Sequence, residues 1–374
     1  MLVHGISLFN YRNYREQQLN FHPSLNIIIG DNAQGKTNIL ESIYYAVTGK
    51  SHRTNYDNEM IRWGESFLRV VLAGERYSGK IKIEIIVRTD GKKILKINNK
   101  PKKKLSELIG AINTVLFSPE DMMMVKGSPS VRRRFLDMEI SQTSPSYCHN
   151  LVSYNKALSQ RNNLLKAVRE GEENDQLIDI WDTQLVNYGV PIIKKRSEVI
   201  GKIKPIAREI HRKITDGKEE INVSYISSVN FKNMDDGVKE EEFFLKKLKE
   251  NRKMEIIKGV TSLGPHRDDM GLKIGSTDIK SFGSQGQQRT GALSLKLSEI
   301  EFIKMETGES PVLLLDDVMS ELDEKRRKFL LEVVREKVQT FITSTGVEDI
   351  VEKVNGPGRI FEVKEGKTSL LQEG

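Results

Sequence analysis

Hydrophobic and polar positions change their period along this chain, and each change predicts a different kind of element. In the first third, SLNIIIG (Ser24 to Gly30) is a short apolar run ending in glycine, which predicts a buried strand. It feeds NILESIYYAV, whose apolar residues recur at helical spacing. FLRVVLAGERY, KIKIEIIVRTD and KKILKINN then alternate or run β-branched, with Asp90-Gly91 as a hairpin turn, so consecutive antiparallel strands are expected. Pro119, Gly127 and Pro129 mark a transition. From about Ser130 to Glu250 good helix formers dominate, and Leu151, Tyr154, Leu158, Leu164 and Leu165 fall on helical spacing. Breaks at GEEND, near Pro191 and at NMDDG predict several helices rather than one rod. The last third alternates: a helix from about Gln285 to Met305, a strand PVLLLDD, a helix from Glu324 to Glu336, a strand VQTFITS, and a strand pair RIFEVKEGKTSLL. The expected architecture is an α/β head built from both chain ends, 1–125 and 253–374, with a helical arm inserted over 126–252.

Composition narrows the function classes. The 374 residues are 37% hydrophobic and 30% charged, which fits a globular protein of two or three domains. No apolar run reaches the ~18 residues of a membrane span, and MLVHGISLFNYRNY lacks the features of a secretory signal, so a cytoplasmic protein without a membrane partner is expected. A lone Cys148 and 6 scattered His argue against disulfides and structural zinc. The net charge of +7 favours acidic partners. Lys92, Lys93, Lys96, Lys100, Lys102, Lys103 and Lys104 lie in GKKILKINNKPKKK, which contains no acid; a solvated hairpin face and a phosphate-contacting patch both fit.

Gly30-Asp31-Asn32-Ala33-Gln34-Gly35-Lys36-Thr37 matches G-x-x-x-x-G-K-[ST] between a predicted strand and a predicted helix. Glycines let the backbone curl so that N–H groups face phosphate oxygens, and the following helix start adds partial positive charge. Lys36 then supplies a point charge to the β- and γ-phosphates, and the Thr37 hydroxyl is a Mg²⁺ ligand. Far downstream, Val312 to Leu315 form an apolar strand that delivers Asp316 and Asp317 at its end. Asp316 suits the Mg²⁺ shell, and Asp317 is the candidate to orient or deprotonate water. Between these segments, Ser284 and Gly286 precede a long helix with Gln287, Gln288 and Arg289 in its first turn; an ordinary N-cap is the competing reading.

Phosphate loop, serine-glycine helix start, carboxylate strand and SELD occur in the order of an ABC-type ATPase. In that class the serine-glycine start meets the γ-phosphate of ATP held by a second copy. Over nearly its whole length the chain resembles the RecF family of DNA replication and repair proteins, relatives of the SMC ATPase heads. The resemblance rests on LFNYRNY, GDNAQGKTNILESIYY and GKSHRTNYDNEMI, on FSPEDMMMVKGSPSVRRRFLD, and on GPHRDD, GSQGQQRTGALSLKL and LLLDDVMSELD.

It implies an ATP-dependent homodimer that binds duplex, gapped and single-stranded DNA. It further implies action with RecO and RecR to load RecA in recombinational repair and the SOS response. By the same resemblance Ser284 to Gln288 is the signature motif, Asp316 the Walker B aspartate, Asp317 the catalytic carboxylate, and Ser320 to Asp323 the D-loop. Thr345 and Ser118 stand where many ABC ATPases carry a switch histidine and a Q-loop glutamine, which implies slow turnover. Arg132, Arg133 and Arg134 fit DNA phosphate contacts or a salt-bridge face with Asp137 and Glu139. Arg53, His266 and Arg267 sit beside motif segments as site-lining or structural residues, and Met122, Met123 and Met124 read as core. No clustered carboxylates for a nuclease are evident outside the ATP site. A chromosome-organising SMC, a transporter motor and a binding module with structural ATP are the rival classes.

Overall fold

The computed structural model describes residues 1–320, 322–335, 338–346 and 357–373. Its elements follow the chain as β1 (Leu2–Tyr11), β2 (Tyr14–Asn20), β3 (Leu25–Ile29), α1 (Lys36–Thr48), β4 (Phe67–Arg76), β5 (Gly79–Arg88), β6 (Lys93–Ile97), β7 (Lys100–Lys102) and β8 (Thr114–Phe117). Next come α2 (Met123–Lys126), α3 (Pro129–Thr143), α4 (Pro145–Glu170), α5 (Ile178–Ile214), β9 (Ile221–Ile226), α6 (Glu240–Lys258), β10 (Asp269–Ile274), β11 (Thr277–Asp278) and α7 (Ile279–Phe282). The remainder is α8 (Gln285–Thr307), β12 (Val312–Asp316), α9 (Glu324–Arg335), β13 (Thr340–Ser344), β14 (Gly358–Lys364) and β15 (Lys367–Glu373).

Two compact units divide the chain: residues 1–121 with 296–374, and residues 122–295. The first holds two six-stranded sheets, ordered β2-β1-β4-β5-β6-β7 and β15-β14-β3-β13-β12-β8. The former is antiparallel throughout, as the alternating sequence predicts, and Asp90 Oδ1 accepts the Lys92 amide at its β5–β6 turn. In the latter, β8, β12, β13, β3 and β14 run parallel and β15 closes one edge antiparallel. Helix α1 is buried on almost every side, with Ile39, Leu40, Ile43 and Tyr45 in one core with Ile6, Leu8, Leu72 and Ile85 of the antiparallel sheet and Ile28, Leu314 and Phe341 of the parallel one. Each such apolar side chain contributes about 1.5–3 kcal/mol, so α1 is fixed between the sheets with only its N-terminal end left for chemistry.

The second unit departs from the expected arm in three respects. It is not wholly helical: Ile221, Val223 and Tyr225 alternate through β9, which pairs antiparallel with β10 in a three-stranded sheet. Its end lies at Leu295, beyond the expected boundary at residue 252. The register of β10 on β9 and the Thr261 amide bonded to Asn162 Oδ1 tie that following segment to the helices. Finally, α5 runs unbroken through Pro191 and Pro205. Proline costs a helix interior about 3 kcal/mol, and the buried stripe of Leu185, Val190, Ile193, Val199, Ile200 and Ile203 outweighs that locally unfavourable choice. The breaks at GEEND and NMDDG are present, with Gly171 in the left-handed conformation at the end of α4 and α6 starting at Glu240. Met124 is buried, whereas Met123 is half exposed and not core. No described helix is long and apolar enough to cross a membrane.

Candidate functional site

Strand β3 ends at Ile29 and the chain curls back on itself before α1 starts at Lys36. Two glycines make this possible. Gly30 has φ 149°, and a Cβ there would come 2.4 Å from the Val363 carbonyl oxygen; Gly35 has φ 120°, and its Cβ would meet Asn13 Nδ2 at 2.7 Å. The loop is braced from outside: Asn13 Nδ2 donates to Gln34 O at 2.8 Å, Tyr14 OH to Gly35 O at 3.1 Å, and the Glu365 amide to Gln34 Oε1 at 2.6 Å. Lys36, largely buried, donates from Nζ to Gly30 O at 2.6 Å and Asp31 O at 2.8 Å. Its ammonium therefore sits inside the curl, where a phosphate oxygen would compete for the same protons. Burial pulls the Lys36 pKa down, against the charges of Asp317, Asp31 and Asp316.

The two halves of the motif meet although 279 positions separate them: Thr37 Oγ1 donates to Asp316 Oδ1 at 2.9 Å. Asp316 ends β12, two strands from β3, and the intervening β13 supplies Thr343, whose hydroxyl donates to the same Oδ1 at 2.8 Å. Burial pushes the Asp316 carboxyl up, opposed by those two hydroxyls and by Arg53. A hydroxyl and a carboxylate in contact at a strand end are hard oxygen donors that suit Mg²⁺. Asp317 follows with φ 51°, a left-handed conformation, its amide donating to Thr343 Oγ1 at 2.9 Å. Ser320, at the start of the expected D-loop, donates to Asp317 O at 2.8 Å; Glu321 of that loop lies outside the described residues.

A buried carboxylate stands behind the loop. Glu41 on α1 accepts from Arg12 Nε at 2.9 Å, Arg12 Nη2 at 2.6 Å and Ser51 Oγ at 2.6 Å, and Arg53 approaches to 3.6 Å. Burial alone would raise its pKa, but the Arg12 and Ser51 hydrogen bonds outweigh it and hold the carboxyl low. Arg53 Nη1 also donates to Asn38 Oδ1 at 2.9 Å, and Asn38 donates to Asn13 Oδ1 at 2.8 Å. Arg53 thus lines the region of the loop. Sequence reasoning passed over Arg12, Asn13, Glu41 and Thr343; the first two stood in the quoted NYRNY, and nothing in the local pattern set apart the last.

In the second unit, Ser284 caps α8. Its Oγ accepts the Gln287 amide at 3.2 Å while Gln287 Oε1 accepts the Ser284 amide at 2.9 Å, a reciprocal capping box. The N-cap reading is therefore met, and Gly286 lies in the first turn of that helix. GPHRDD is a structural hub. Arg132 pairs with both Asp269 oxygens at 2.7 and 2.8 Å, Arg133 donates to Asp268 O at 2.7 Å, and buried Arg196 donates to Pro265 O at 2.6 Å. Arg267 donates twice to Thr261 O, at 3.1 and 2.9 Å. Arg132 and Arg133 thus meet this loop, and Arg134 is on the exposed side of α3. The Ser118 amide donates to Asp121 Oδ2 at 2.8 Å, and Thr345 lies in a bend just past β13. Of the lysine run, Lys93 pairs with Asp57, Lys96 with Glu84 and Lys102 with Glu107, whereas Lys100, Lys103 and Lys104 are exposed.

Comparison with known proteins places this geometry. The model of the RecF/RecN/SMC N-terminal domain matches residues 2–369. The DNA replication and repair protein RecF of Clostridium tetani is 47% identical over 98% of this chain and 99% of its own length. That of Halalkalibacterium halodurans is 43% identical over 100% of both. Among solved structures, the recombination mediator protein RecF-ATPrS of the RecFOR pathway superposes with a TM-score of 0.91 at 37% identity over 99% of this chain and 98% of that one. The Smc head domain of Pyrococcus furiosus, 15% identical with a TM-score of 0.56, shares the fold. An SMC-type ATPase head whose phosphate loop and carboxylate strand converge on one point, matched from end to end by such relatives, belongs to the RecF family of DNA replication and repair proteins.

Proposed function

We propose that this chain is an ATP-gated DNA clamp of recombinational repair. Two copies close on ATP around duplex or gapped DNA, contact single strands at the gap, and with RecO and RecR help RecA load in the cytoplasm during the SOS response. The observation that carries the reading is the 2.9 Å bond between Thr37 and Asp316, which brings phosphate loop and carboxylate strand to one point.

In this reading Gly30 to Gly35 present amides to the phosphates, and Lys36 exchanges its bonds to Gly30 O and Asp31 O for phosphate oxygens. Thr37 and Asp316 hold Mg²⁺, which supplies charge neutralisation to the phosphates. Asp317 orients the attacking water and accepts its proton. Ser284, Gly286 and Gln287 of one copy complete the site of the other, so nucleotide adds contacts that exist only in the dimer; DNA that prefers the closed pair shifts the same equilibrium. Ser118 and Thr345 offer no strong acid or base, which keeps turnover slow and makes ATP occupancy the signal.

Equilibrium binding to gapped duplex DNA at one salt concentration, with and without Mg-ATP, tests this for wild type and Lys36→Met. ATP should tighten wild-type binding and leave the variant unchanged. Equal affinity in all four conditions would remove the clamp and leave a basic DNA-binding module.

A further inference from the structure

Strand β13 lies between the phosphate-loop strand β3 and the carboxylate strand β12, with Thr343 in register with Ile28 on one side and Asp316 on the other. Its side chain is 1% exposed. The hydroxyl has one proton and two lone pairs to distribute. The Asp317 amide, 2.9 Å away, must use a lone pair; the proton goes to Asp316 Oδ1 at 2.8 Å, since the alternative acceptor, Leu315 O, is at 3.5 Å. One oxygen therefore connects the side chain of the first aspartate to the backbone of the second.

That second connection matters because Asp317 is left-handed, at φ 51°. Such a conformation is unfavourable for a residue with a Cβ and persists where surrounding bonds impose it. Two do so here: the amide bond to Thr343 before the turn and the Ser320 hydroxyl on the Asp317 carbonyl after it. A valine would fill the same space in a strand of β-branched residues but satisfy neither aspartate.

We propose that Thr343 is a positioning residue of the nucleotide site: its hydroxyl fixes the Asp316 carboxylate for Mg²⁺ and holds the Asp317 backbone in the conformation that aims its carboxylate into the site. The proposal rests on the ATPase reading above. Its chemistry is that of a partner one shell out from a metal, whose loss costs about 10–100-fold in metal affinity or activity.

The test compares wild type, Thr343→Val and Thr343→Ser by two readouts: the Mg²⁺ concentration needed for half-maximal ATP binding, and steady-state ATP turnover. In Thr343→Val the Mg²⁺ requirement should rise and turnover fall by about 10-fold or more, with ATP binding in EDTA unchanged. Thr343→Ser should restore both. A valine variant that matches wild type in both readouts overturns the proposal, as does a serine variant as defective as the valine one, because returning the hydroxyl would then restore neither function. If the valine chain does not fold, the Thr343→Ser and Thr343→Ala pair makes the same comparison with only the hydroxyl changed. A wild type that binds Mg-ATP without hydrolysing it overturns the ATPase reading alone, and the Mg²⁺ readout still decides Thr343. A wild type that binds no ATP overturns both.

Discussion

The phosphate loop and the GPHRDD loop are equally conspicuous strings of charged and small residues, yet they use their polar atoms in opposite ways. Around GPHRDD, charge is turned inward and matched: Arg132 covers both oxygens of Asp269, Arg196 meets Asp137 and Pro265 O, and Asp268 accepts from Tyr225 and Ser228. At the phosphate loop, Lys36 is met by carbonyls of its own loop, and the carboxylates of Asp316 and Asp317 gather beside it at strand ends. Saturated networks hold a unit together; a cation held by replaceable carbonyl bonds is prepared for a ligand. Chemistry of residue type does not separate the two, whereas the partner of each polar atom does.

The difference can be broken most strongly from the inward side. Arg161 is fully buried between Asp182 at 2.6 Å and Glu255 at 2.7 Å. Arg161→Met should lower the unfolding free energy in urea by about 3–5 kcal/mol, because two buried carboxylates lose the cation between them. Asp317→Asn should do the reverse: stability unchanged, Mg-ATP still bound, turnover reduced by about 100-fold or more. A variant that lost ATP binding instead would move Asp317 out of the hydrolytic role.

His266 sharpens the contrast through pH. Its Nε2 lies 3.1 Å from Thr261 O and must carry the proton, leaving Nδ1 to accept from Tyr154 OH at 2.7 Å. Burial pushes its pKa down to about 4. Between there and the unfolded value near 6.5 the unfolded chain binds the proton that the folded chain refuses, so this contribution to stability falls as pH drops through that window. It should amount to about 2 kcal/mol by pH 5, and His266→Gln should flatten the pH dependence of unfolding by that amount relative to wild type. Arg132→Lys, which loses the paired geometry on Asp269, should cost about 1–2 kcal/mol of stability and leave DNA affinity unaltered. The smallest effect is expected on the outer surface. Replacing Lys100, Lys103 and Lys104 by Gln should make the salt dependence of DNA binding shallower by up to about 3 in log-log slope if all three meet phosphate. An unchanged slope assigns them to the solvated hairpin.

Much of this was legible in the chain because the signals were redundant. SLNIIIG, the glycine-lysine-threonine loop and NILESIYYAV agree on strand, turn and helix, and four apolar residues before Asp316 leave few alternatives for β12. The middle was less readable, since Pro191 and Pro205 argue locally against a helix that tertiary packing retains, and β9 is a six-residue strand in a helix-forming background. Thr343 was invisible for another reason. A threonine in FITS is an ordinary strand residue, and its importance exists only once β12 lies beside it.

That arrangement of strands also bears on how the protein is made. β3 emerges early from the ribosome, but the strands on both its sides, β13 and β14, lie in roughly the last tenth of the sequence. Until they appear, the phosphate loop lacks Thr343, the Val363 carbonyl that packs against Gly30, and the Glu365 amide that holds Gln34. Chains stalled anywhere before that point carry the glycine-lysine-threonine string without the pocket that gives it meaning. The closed loop is in this sense a late product of folding, since it waits on strands some three hundred residues downstream of its own glycines.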